Sequence, residues 1–399
     1  MKYTVILGFF IISFCLAKDD PEVNMTPIEI IEYWGYPAED IVATTEDGYV
    51  LHMHRIRHGK GQDNSKNRPV IFMQHGLICS STNWITNLPS QSAAFIFADA
   101  GFDVWLGNMR GNTYSIDNTH LDPSTKEFWA FSWDEMAKYD LDAMIDKALE
   151  VSGQKQLYYM GHSQGTLTMF SKLSIDSTLK NKVRKHFALA PIGTVGHIKG
   201  AMDVMAKLLY PELGLVETIL GDKEFLPNNW LIEILNKAVC ENSFIGGVCD
   251  NILFLIAGPE SNQLNESRVP VYMGHTPAAT SVQNIAHWMQ MVHTKKQEMY
   301  DYRNKKENEK HYGQSTPPEY DLTKVNVDTY LFWSDSDWLG DTEDIETHLL
   351  PNLNPEILKG NFKLKDFNHL DFIWGLRAAE EVYEPIIKII SQDIANSKQ

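Results

Sequence analysis

The sequence is short of three features, and each shortage excludes a class of protein. No stretch after residue 17 has 18 consecutive apolar residues, so no transmembrane anchor is expected. Lysine and arginine number 35 against 52 aspartates and glutamates, and the formal net charge of −17 argues against nucleic-acid binding. Internal repeats and low-complexity segments are also lacking, which excludes fibrous and coiled-coil proteins. What remains is a chain of 399 residues, 43% of them hydrophobic, which suits a large globular core.

Cysteine is scarce as well. The chain has four cysteines and neither a C-x-x-C nor an H-E-x-x-H sequence, so it shows no metal or redox motif, and no cofactor is expected. Cys240 and Cys249 close a short loop, and in an oxidising compartment we expect them to form a disulfide. The alternative is a pair of free buried thiols. Cys15 lies in the N-terminal segment that we expect to be removed, so Cys79 is left without a partner and is predicted to be buried.

The N-terminus has the pattern of a secretory signal peptide, residues 1–17. Lys2 gives a positive start, residues 5–16 form an apolar run too short to span a bilayer, and Ala17 is a small residue at the cleavage point. An amphipathic N-terminal anchor is the alternative. A signal peptide implies the secretory pathway, with the lysosomal lumen or the extracellular space as destination. In that pathway two Asn-x-Ser/Thr sequences become glycosylation candidates, at Asn24 and Asn265.

Short apolar runs alternate with helical patterns in the first half of the chain. A capping box at Ser132 predicts the start of one helix, and Gly153 ends it. Strand followed by helix, several times over, predicts an α/β fold with a mostly parallel central sheet flanked by helices. The predicted strands are residues 70–73, 102–106, 157–160 and 187–190, and two further predicted helices are residues 90–100 and 166–173.

The alternation stops between about residues 192 and 318, where helical patterns dominate. It resumes with a strand at 329–333, a weaker strand at 361–365 and a helix at 378–391. We therefore predict a core formed by residues 18–192 and 318–399, interrupted by a helical cap and lid at 193–317. Residues 295–310 resemble a solvated helix or linker. Two apolar stripes in the insertion either pack on the core or contact an apolar substrate: Met202, Met205, Leu208 and Leu209, and Ile285, Trp288, Met289 and Val292.

A G-x-S-x-G pentapeptide spans residues 161–165 and places Ser163 between a predicted strand and a predicted helix. This context is typical of a nucleophile elbow, a tight turn with no room for side chains at the two glycines. Strain in the turn would expose the Ser163 hydroxyl above the sheet. The alternative is a serine in an ordinary glycine turn.

A serine nucleophile needs a base and an acid, and in this chemistry they follow it in the order acid, then histidine. His369 and Asp337 follow the last two predicted strands, at the sheet edge where open α/β sheets hold their sites. We expect His369 to accept the Ser163 proton and Asp337 to orient the imidazole. Asp335 and Asp341 compete for the role of the acid.

An oxyanion hole requires two backbone donors. The turn at residues 74–77 follows an early strand and offers the N–H of Leu77, and the N–H of Gln164 follows the nucleophile directly. A plain strand-ending turn is the alternative for His75 and Gly76.

Several motifs in a fixed order resemble the acid lipase family, which includes gastric and lysosomal acid lipases, over nearly the whole chain after the signal. They are Tyr33-Trp34-Gly35-Tyr36-Pro37, Thr45-Glu46-Asp47-Gly48-Tyr49, Gln74-His75-Gly76-Leu77, Gly107-Asn108-Met109-Arg110-Gly111-Asn112-Thr113, Gly161-His162-Ser163-Gln164-Gly165 and Asn368-His369-Leu370-Asp371-Phe372.

The resemblance implies an α/β-hydrolase core with a cap and lid, and hydrolysis of triacylglycerols or cholesteryl esters at an oil–water or lipid-particle interface. It assigns the nucleophile to Ser163 and the base to His369, and it favours Asp337 as the acid. It also implies Leu77 and Gln164 as oxyanion donors, and the spacing of Cys240 and Cys249 resembles the cap disulfide of the family.

Two other functions stay open at this stage. One is a carboxylesterase for shorter soluble esters with the same fold. The other is a non-catalytic lipid carrier on a hydrolase scaffold, although a carrier has no need of a nucleophile, base and acid in the right order.

Overall fold

The computed structural model describes residues 20–63, 67–210, 224–225 and 257–397. The predicted signal peptide, residues 1–17, lies outside these ranges, as does the predicted disulfide between Cys240 and Cys249. None of the described helices is long and apolar enough to cross a bilayer.

A central sheet runs through the molecule in the strand order β1-β2-β4-β3-β6-β7-β10-β11, with β5 paired to β2 at the side. The strands from β4 to β11 along this order pair in parallel, whereas β2 is antiparallel to β1, β4 and β5. The strands of this sheet are β1 (Ala38–Thr44), β2 (Tyr49–Ile56), β3 (Val70–Gln74), β4 (Asp103–Leu106), β5 (Asp117–Asn118), β6 (Leu157–His162), β7 (Val183–Leu189), β10 (Asp328–Ser334) and β11 (Leu358–Leu364). A two-stranded sheet pairs β8 (Glu224–Phe225) with β9 (Thr280–Ser281).

Helices cover both faces of the sheet, and several also lie in the described part of the predicted insertion, residues 193–317. The α-helices are Pro27–Tyr33, Ala93–Asp99, Trp133–Glu135, Leu141–Ser152, Gln164–Ile175, Gly200–Leu209, Val269–His275, Val282–Thr294, Lys305–Tyr312, Thr342–Asp344, Leu350–Asn352, Asp371–Trp374 and Glu384–Ser397. Single π-helical turns lie at Met136–Asp140, Ile345–Leu349 and Ala379–Tyr383. Short 3-10 helices lie at Pro21–Asn24, Ser81–Trp84, Leu179–Asn181, Glu266–Arg268 and Leu322–Lys324.

The sheet is buried on both faces, as β3 shows most clearly. Val70 and Phe72 belong to the apolar cluster on one face, and Ile71 and Met73 belong to the cluster on the other. Successive side chains of a strand point to opposite faces, so a strand covered on both sides reads as a continuous apolar run. This burial explains why the central strands were predictable from their apolar runs.

A third apolar cluster joins the insertion to the core. It contains Ile285 and Met289 of the helix Val282–Thr294, and Leu77 and Ile78 from the loop after β3 pack against it. One of the two stripes noted in the sequence therefore contacts the loop that was expected to hold an oxyanion donor. Of the other stripe, Met202 packs against the same cluster.

Most predicted elements of the core are confirmed, with shifted ends. The predicted helix at 90–100 begins three residues later, at Ala93, and the predicted strand at 187–190 is the end of the longer β7. The strands β1 and β2 were not predicted. The capping box is confirmed: the Ser132 hydroxyl accepts a hydrogen bond from Asp134 N, and the Glu135 side chain accepts one from Ser132 N.

The expectation of a solvated segment at 295–310 is wrong for part of its length. Gln297, Glu298 and Asn308 are buried, at 2%, 7% and 3% exposure. Gln297 donates to the Ser171 hydroxyl at 2.8 Å, whereas Glu298 and Asn308 form hydrogen bonds with nearby residues of the chain. Polar composition did not reveal the burial of these three side chains, because each of them forms hydrogen bonds within the fold.

Candidate active site

Ser163 lies on a sharp turn between β6 and the helix Gln164–Ile175. Its backbone has φ 54° and ψ −119°, a combination that a non-glycine residue rarely adopts. The turn is held from both sides, because Ser163 N donates to Leu189 O at 3.1 Å and Ser163 O accepts from Thr166 N at 2.8 Å. The strained conformation of Ser163 is therefore held in place by β7 and by the first turn of the helix.

The glycines around this turn are required by close backbone contacts. A Cβ on Gly161 would lie 2.7 Å from the carbonyl of Gly165, and a Cβ on Gly165 would lie 2.5 Å from the carbonyl oxygen of Gln74. Gly76 faces the serine itself: its added Cβ would lie 3.1 Å from Ser163 Cβ. Gly161 is thus required by the tightness of the turn itself, and Gly165 by its packing against the end of β3.

The side chains of His369 and Asp337 are in contact with each other. His369 Nδ1 is 2.9 Å from each carboxylate oxygen of Asp337, and both side chains are buried. Asp337 Oδ1 also accepts hydrogen bonds from Leu339 N at 2.9 Å and Gly340 N at 2.8 Å. These donors hold the carboxylate as an acceptor, so Nδ1 carries the imidazole proton and Nε2 is left as the basic nitrogen.

The two competing acids are engaged elsewhere. The exposed Asp335 forms an ion pair with Lys363 at 2.7 Å and accepts a hydrogen bond from the Thr342 hydroxyl. Asp341 caps a short helix through Glu343 N and pairs with Lys199. Of the three acids considered in the sequence, Asp337 is the one that contacts His369.

The loop after β3 is shaped by His75. Met109 N donates to His75 Nε2 at 3.1 Å, so Nδ1 carries the proton and donates to Gly76 O at 2.8 Å. Because a peptide unit is planar, this bond also fixes the direction of the Leu77 N–H. Burial lowers the pKa of His75 to about 4, which keeps the ring neutral. Among the described residues, neither Leu77 N nor Gln164 N has an acceptor.

His162 connects the nucleophile strand to the base. Its Nε2 donates to the carbonyl oxygen of His369 at 2.8 Å, and the two rings lie 4.9 Å apart. Burial, and secondarily the neighbouring His369, lowers the pKa of His162 to about 3. Sequence reasoning missed the roles of His75 and His162, because both arise from contacts with backbone atoms that no spacing reveals.

Ser163 and His369 line one apolar cavity of about 1040 Å³, a volume that includes its open mouth. Other walls come from the loop after β3 and from the insertion: Leu77, Ile78, Met202, Ile285, Trp288, Met289 and Val292. Such a cavity suits an apolar acyl chain next to a polar reaction centre. In the part of the chain that the structure describes, no cluster of histidine, cysteine, aspartate and glutamate is arranged to hold a metal ion.

Of the other candidate residues that the structure describes, Cys79 lines this cavity, whereas Asn24 and Asn265 do not. Cys79 is a buried free thiol in the cavity wall, and burial raises its pKa to about 11. Asn24 is exposed in the N-terminal segment. Asn265 is half-buried, and its side-chain nitrogen donates to Gln91 Oε1 at 2.9 Å.

Comparisons with known proteins agree with this geometry. The family described as a partial α/β-hydrolase lipase region matches residues 27–88, and the α/β hydrolase fold family matches residues 69–213. Lipase lipl-1 of Caenorhabditis elegans is 57% identical over 381 residues, which cover 94% of this chain and 94% of that protein. The gastric triacylglycerol lipase of Homo sapiens is 46% identical over 379 residues, covering 95% and 94%.

Among solved structures, a thermophilic esterase from Thermogutta terrifontis matches in fold, with a TM-score of 0.50 and 12% identity over 90% of this chain and 99% of that chain. The central sheet, the strained serine turn and the extent of these matches lead to one conclusion: the chain belongs to the lipase family of α/β-hydrolase fold.

Proposed function

We propose that this protein hydrolyses carboxylic esters of neutral lipids, triacylglycerols or cholesteryl esters, through an acyl-enzyme on Ser163. One observation carries the proposal: a strained serine and an imidazole bound to a buried carboxylate line the same apolar cavity. The names of the relatives, lipase and gastric triacylglycerol lipase, support the same substrate class.

In the first step, Ser163 Oγ attacks the ester carbonyl carbon while His369 Nε2 accepts the hydroxyl proton. Asp337 keeps the other imidazole proton on Nδ1 and stabilises the imidazolium that forms. The carbonyl oxygen becomes an oxyanion, and the N–H groups of Leu77 and Gln164 donate to it. Their lack of other acceptors supports this role.

In the second step, His369 Nε2 gives its proton to the leaving alcohol, and the C–O bond breaks to leave the acyl group on Ser163. A water molecule then loses a proton to His369 and attacks the acyl carbon. When the second tetrahedral intermediate collapses, the proton returns to Ser163 Oγ and the fatty acid is released. No redox step or cofactor enters this sequence.

The domain boundaries and processing belong to the same proposal. Residues 18–192 and 318–399 form the hydrolase core, and residues 193–317 form the cap and lid. The protein enters the secretory pathway and acts in the lysosomal lumen or outside the cell. In that setting Asn24 and Asn265 are the glycosylation sites, and Cys240 pairs with Cys249.

The test is hydrolysis of emulsified triolein and cholesteryl oleate by purified protein from pH 4 to 8, with a series of shorter esters alongside. We expect release of oleic acid by the wild type and none above background by Ser163→Ala. If activity is highest on esters with two to four acyl carbons and absent on both emulsions, the protein is an esterase for soluble esters and not a lipase. Equal activity of wild type and Ser163→Ala would reject the acyl-enzyme.

A further inference from the structure

The side chain of Gln164 links the nucleophile turn to the insertion. The residue starts the helix Gln164–Ile175 and is 2% exposed. Its Oε1 accepts two hydrogen bonds from the helix Val282–Thr294, from Trp288 Nε1 at 2.7 Å and from Asn284 Nδ2 at 3.0 Å. On the core side its Nε2 faces Met136 Sδ at 3.4 Å.

These hydrogen bonds fix the plane of one aromatic ring. An indole has a single donor, and in Trp288 that donor is used on Gln164 Oε1. Asn284 is fully buried and donates to both Gln164 and Thr280, so the Gln164 acceptor lies in a buried site. Rotation of the half-buried indole away from Gln164 would lose this hydrogen bond and is therefore disfavoured.

Trp288 is also a wall of the cavity that contains Ser163. On the same helix, Ile285, Met289 and Val292 line that cavity as well. The orientation of the Trp288 ring is therefore set by its hydrogen bond to Gln164, the residue after Ser163. The other three side chains are held by apolar packing, which is not directional.

We propose that Gln164 is a positioning residue, which holds the Trp288 indole as the wall of the acyl-binding cavity and thereby sets the preference for long acyl chains. This role of the side chain is separate from that of the Gln164 backbone N–H. The inference rests on the proposed function, because it assumes that the cavity takes an acyl group. A chain that extends along the helix Val282–Thr294 contacts this wall, whereas a two-carbon acyl group stays beside Ser163.

The test compares kcat/KM for p-nitrophenyl oleate and p-nitrophenyl acetate in single and double variants. Gln164→Met removes the acceptor at similar volume, and Trp288→Phe removes the donor but keeps an aromatic ring. In each we expect the oleate-to-acetate ratio to fall about five- to tenfold, the size of one hydrogen bond. The double variant should show about the same ratio as Gln164→Met alone, because both single substitutions remove the hydrogen bond from Trp288 to Gln164.

Trp84→Phe is the matched control. Trp84 is 1% exposed, lies outside the cavity, and has no partner for its indole nitrogen among the described residues. It loses the same ring volume, and its ratio should stay at the wild-type value. Thermal unfolding shows whether each variant is folded. If either Gln164→Met or Trp288→Phe does not fold, the ratio measured for the other one tests the inference.

Ratios within twofold of wild type in the folded variants would overturn the inference, and so would independent, multiplying effects in the double variant. A wild type that hydrolyses acetate but not oleate would instead reject the lipase function, and the inference with it. A general loss of activity with an unchanged ratio would assign Gln164 a merely structural role.

Discussion

Asp337 and Asp140 are both fully buried carboxylates beside a basic side chain. They differ in whether that basic side chain keeps a nitrogen without a hydrogen-bond partner. Asp337 is paired with His369, whose Nε2 has no hydrogen-bond partner in the described part of the chain and whose ring lines the cavity. Asp140 is paired with Arg110, which is 1% exposed and does not line that cavity.

The donors of Arg110 are divided between two carboxylates. Nε donates to Asp140 Oδ1 at 2.8 Å, and Nη1 donates to Asp47 Oδ2 at 2.6 Å. The guanidinium also lies 3.9 Å from the ring centre of Tyr49. Asp47 lies in the turn between β1 and β2, and Asp140 ends a π-helical turn, so Arg110 ties both to the core.

The difference shows that burial and charge do not by themselves identify a catalytic group. Both sites contain a carboxylate in an apolar surrounding, and both need a partner to offset the cost of burial. What distinguishes the pair at Asp337 is a basic nitrogen left without a partner and facing a cavity. A substitution at Asp337 should therefore lower the catalytic rate, whereas a substitution at Arg110 should lower the stability of the fold.

The largest effect is expected from Asp337→Asn. The amide donates to Nδ1 and favours the wrong imidazole tautomer, and we expect kcat for ester hydrolysis to fall about 10⁴-fold, a typical loss for this change. Asp335→Asn is the matched control, two residues away in the same acidic loop, and should retain wild-type kcat. An equal loss in both variants would move the acid away from Asp337.

Arg110→Ala should instead lower the stability of the folded protein. The change leaves Asp140 buried and unpaired, and we expect the free energy of unfolding in urea to fall by about 3–5 kcal/mol. Arg57→Ala is the control: Arg57 pairs with Glu39 at 3.0 Å but is 38% exposed, so its loss should cost less than about 1 kcal/mol. Similar losses in the two variants would contradict the structural role of Arg110.

The smallest effect concerns a buried histidine with neither a catalytic nor an ionic partner. His186 is fully buried, and burial lowers its pKa to about 3. In the unfolded chain a histidine has a pKa near 6.5. Between these values the unfolded state binds more protons, so the free energy of unfolding falls as the pH drops from about 6.5 towards 3.

His186→Phe should remove up to about 1.4 kcal/mol per pH unit from that slope between pH 6 and 4. The measurement is urea unfolding at several pH values, and it uses the slope because the change in ring size shifts the absolute stability. His120→Phe is the control, since His120 is exposed and its surroundings change little on unfolding. An unchanged slope in His186→Phe would mean that the folded state admits the proton.

The parts of the fold that the sequence predicted are those with a strong local signal. The central strands are buried on both faces and therefore appear as apolar runs, and the turn at Ser163 needs glycines at fixed positions. β1 was missed because only Ala43 in it is buried and because the charged Glu39 and Asp40 interrupt its apolar residues. β11 is mostly exposed, which explains its weak pattern.

The parts of the site that were missed depend on contacts across long stretches of chain. The sequence suggested Asp337 by its place after a strand, but only the fold shows that Asp335 turns to Lys363 instead. The bond from Trp288 to Gln164 joins residues 124 positions apart. Such pairs form once the sheet and the insertion have packed, and no local pattern encodes them.

The central claim is that Ser163, His369 and Asp337 act as one unit, and the most direct test is covalent labelling with a fluorophosphonate followed by peptide mass spectrometry. We predict a single adduct, on the peptide that contains Ser163, and labelling slowed by at least about 10³-fold in His369→Gln, because the base no longer activates the hydroxyl. An adduct on another residue, or labelling of His369→Gln at the wild-type rate, would contradict the account.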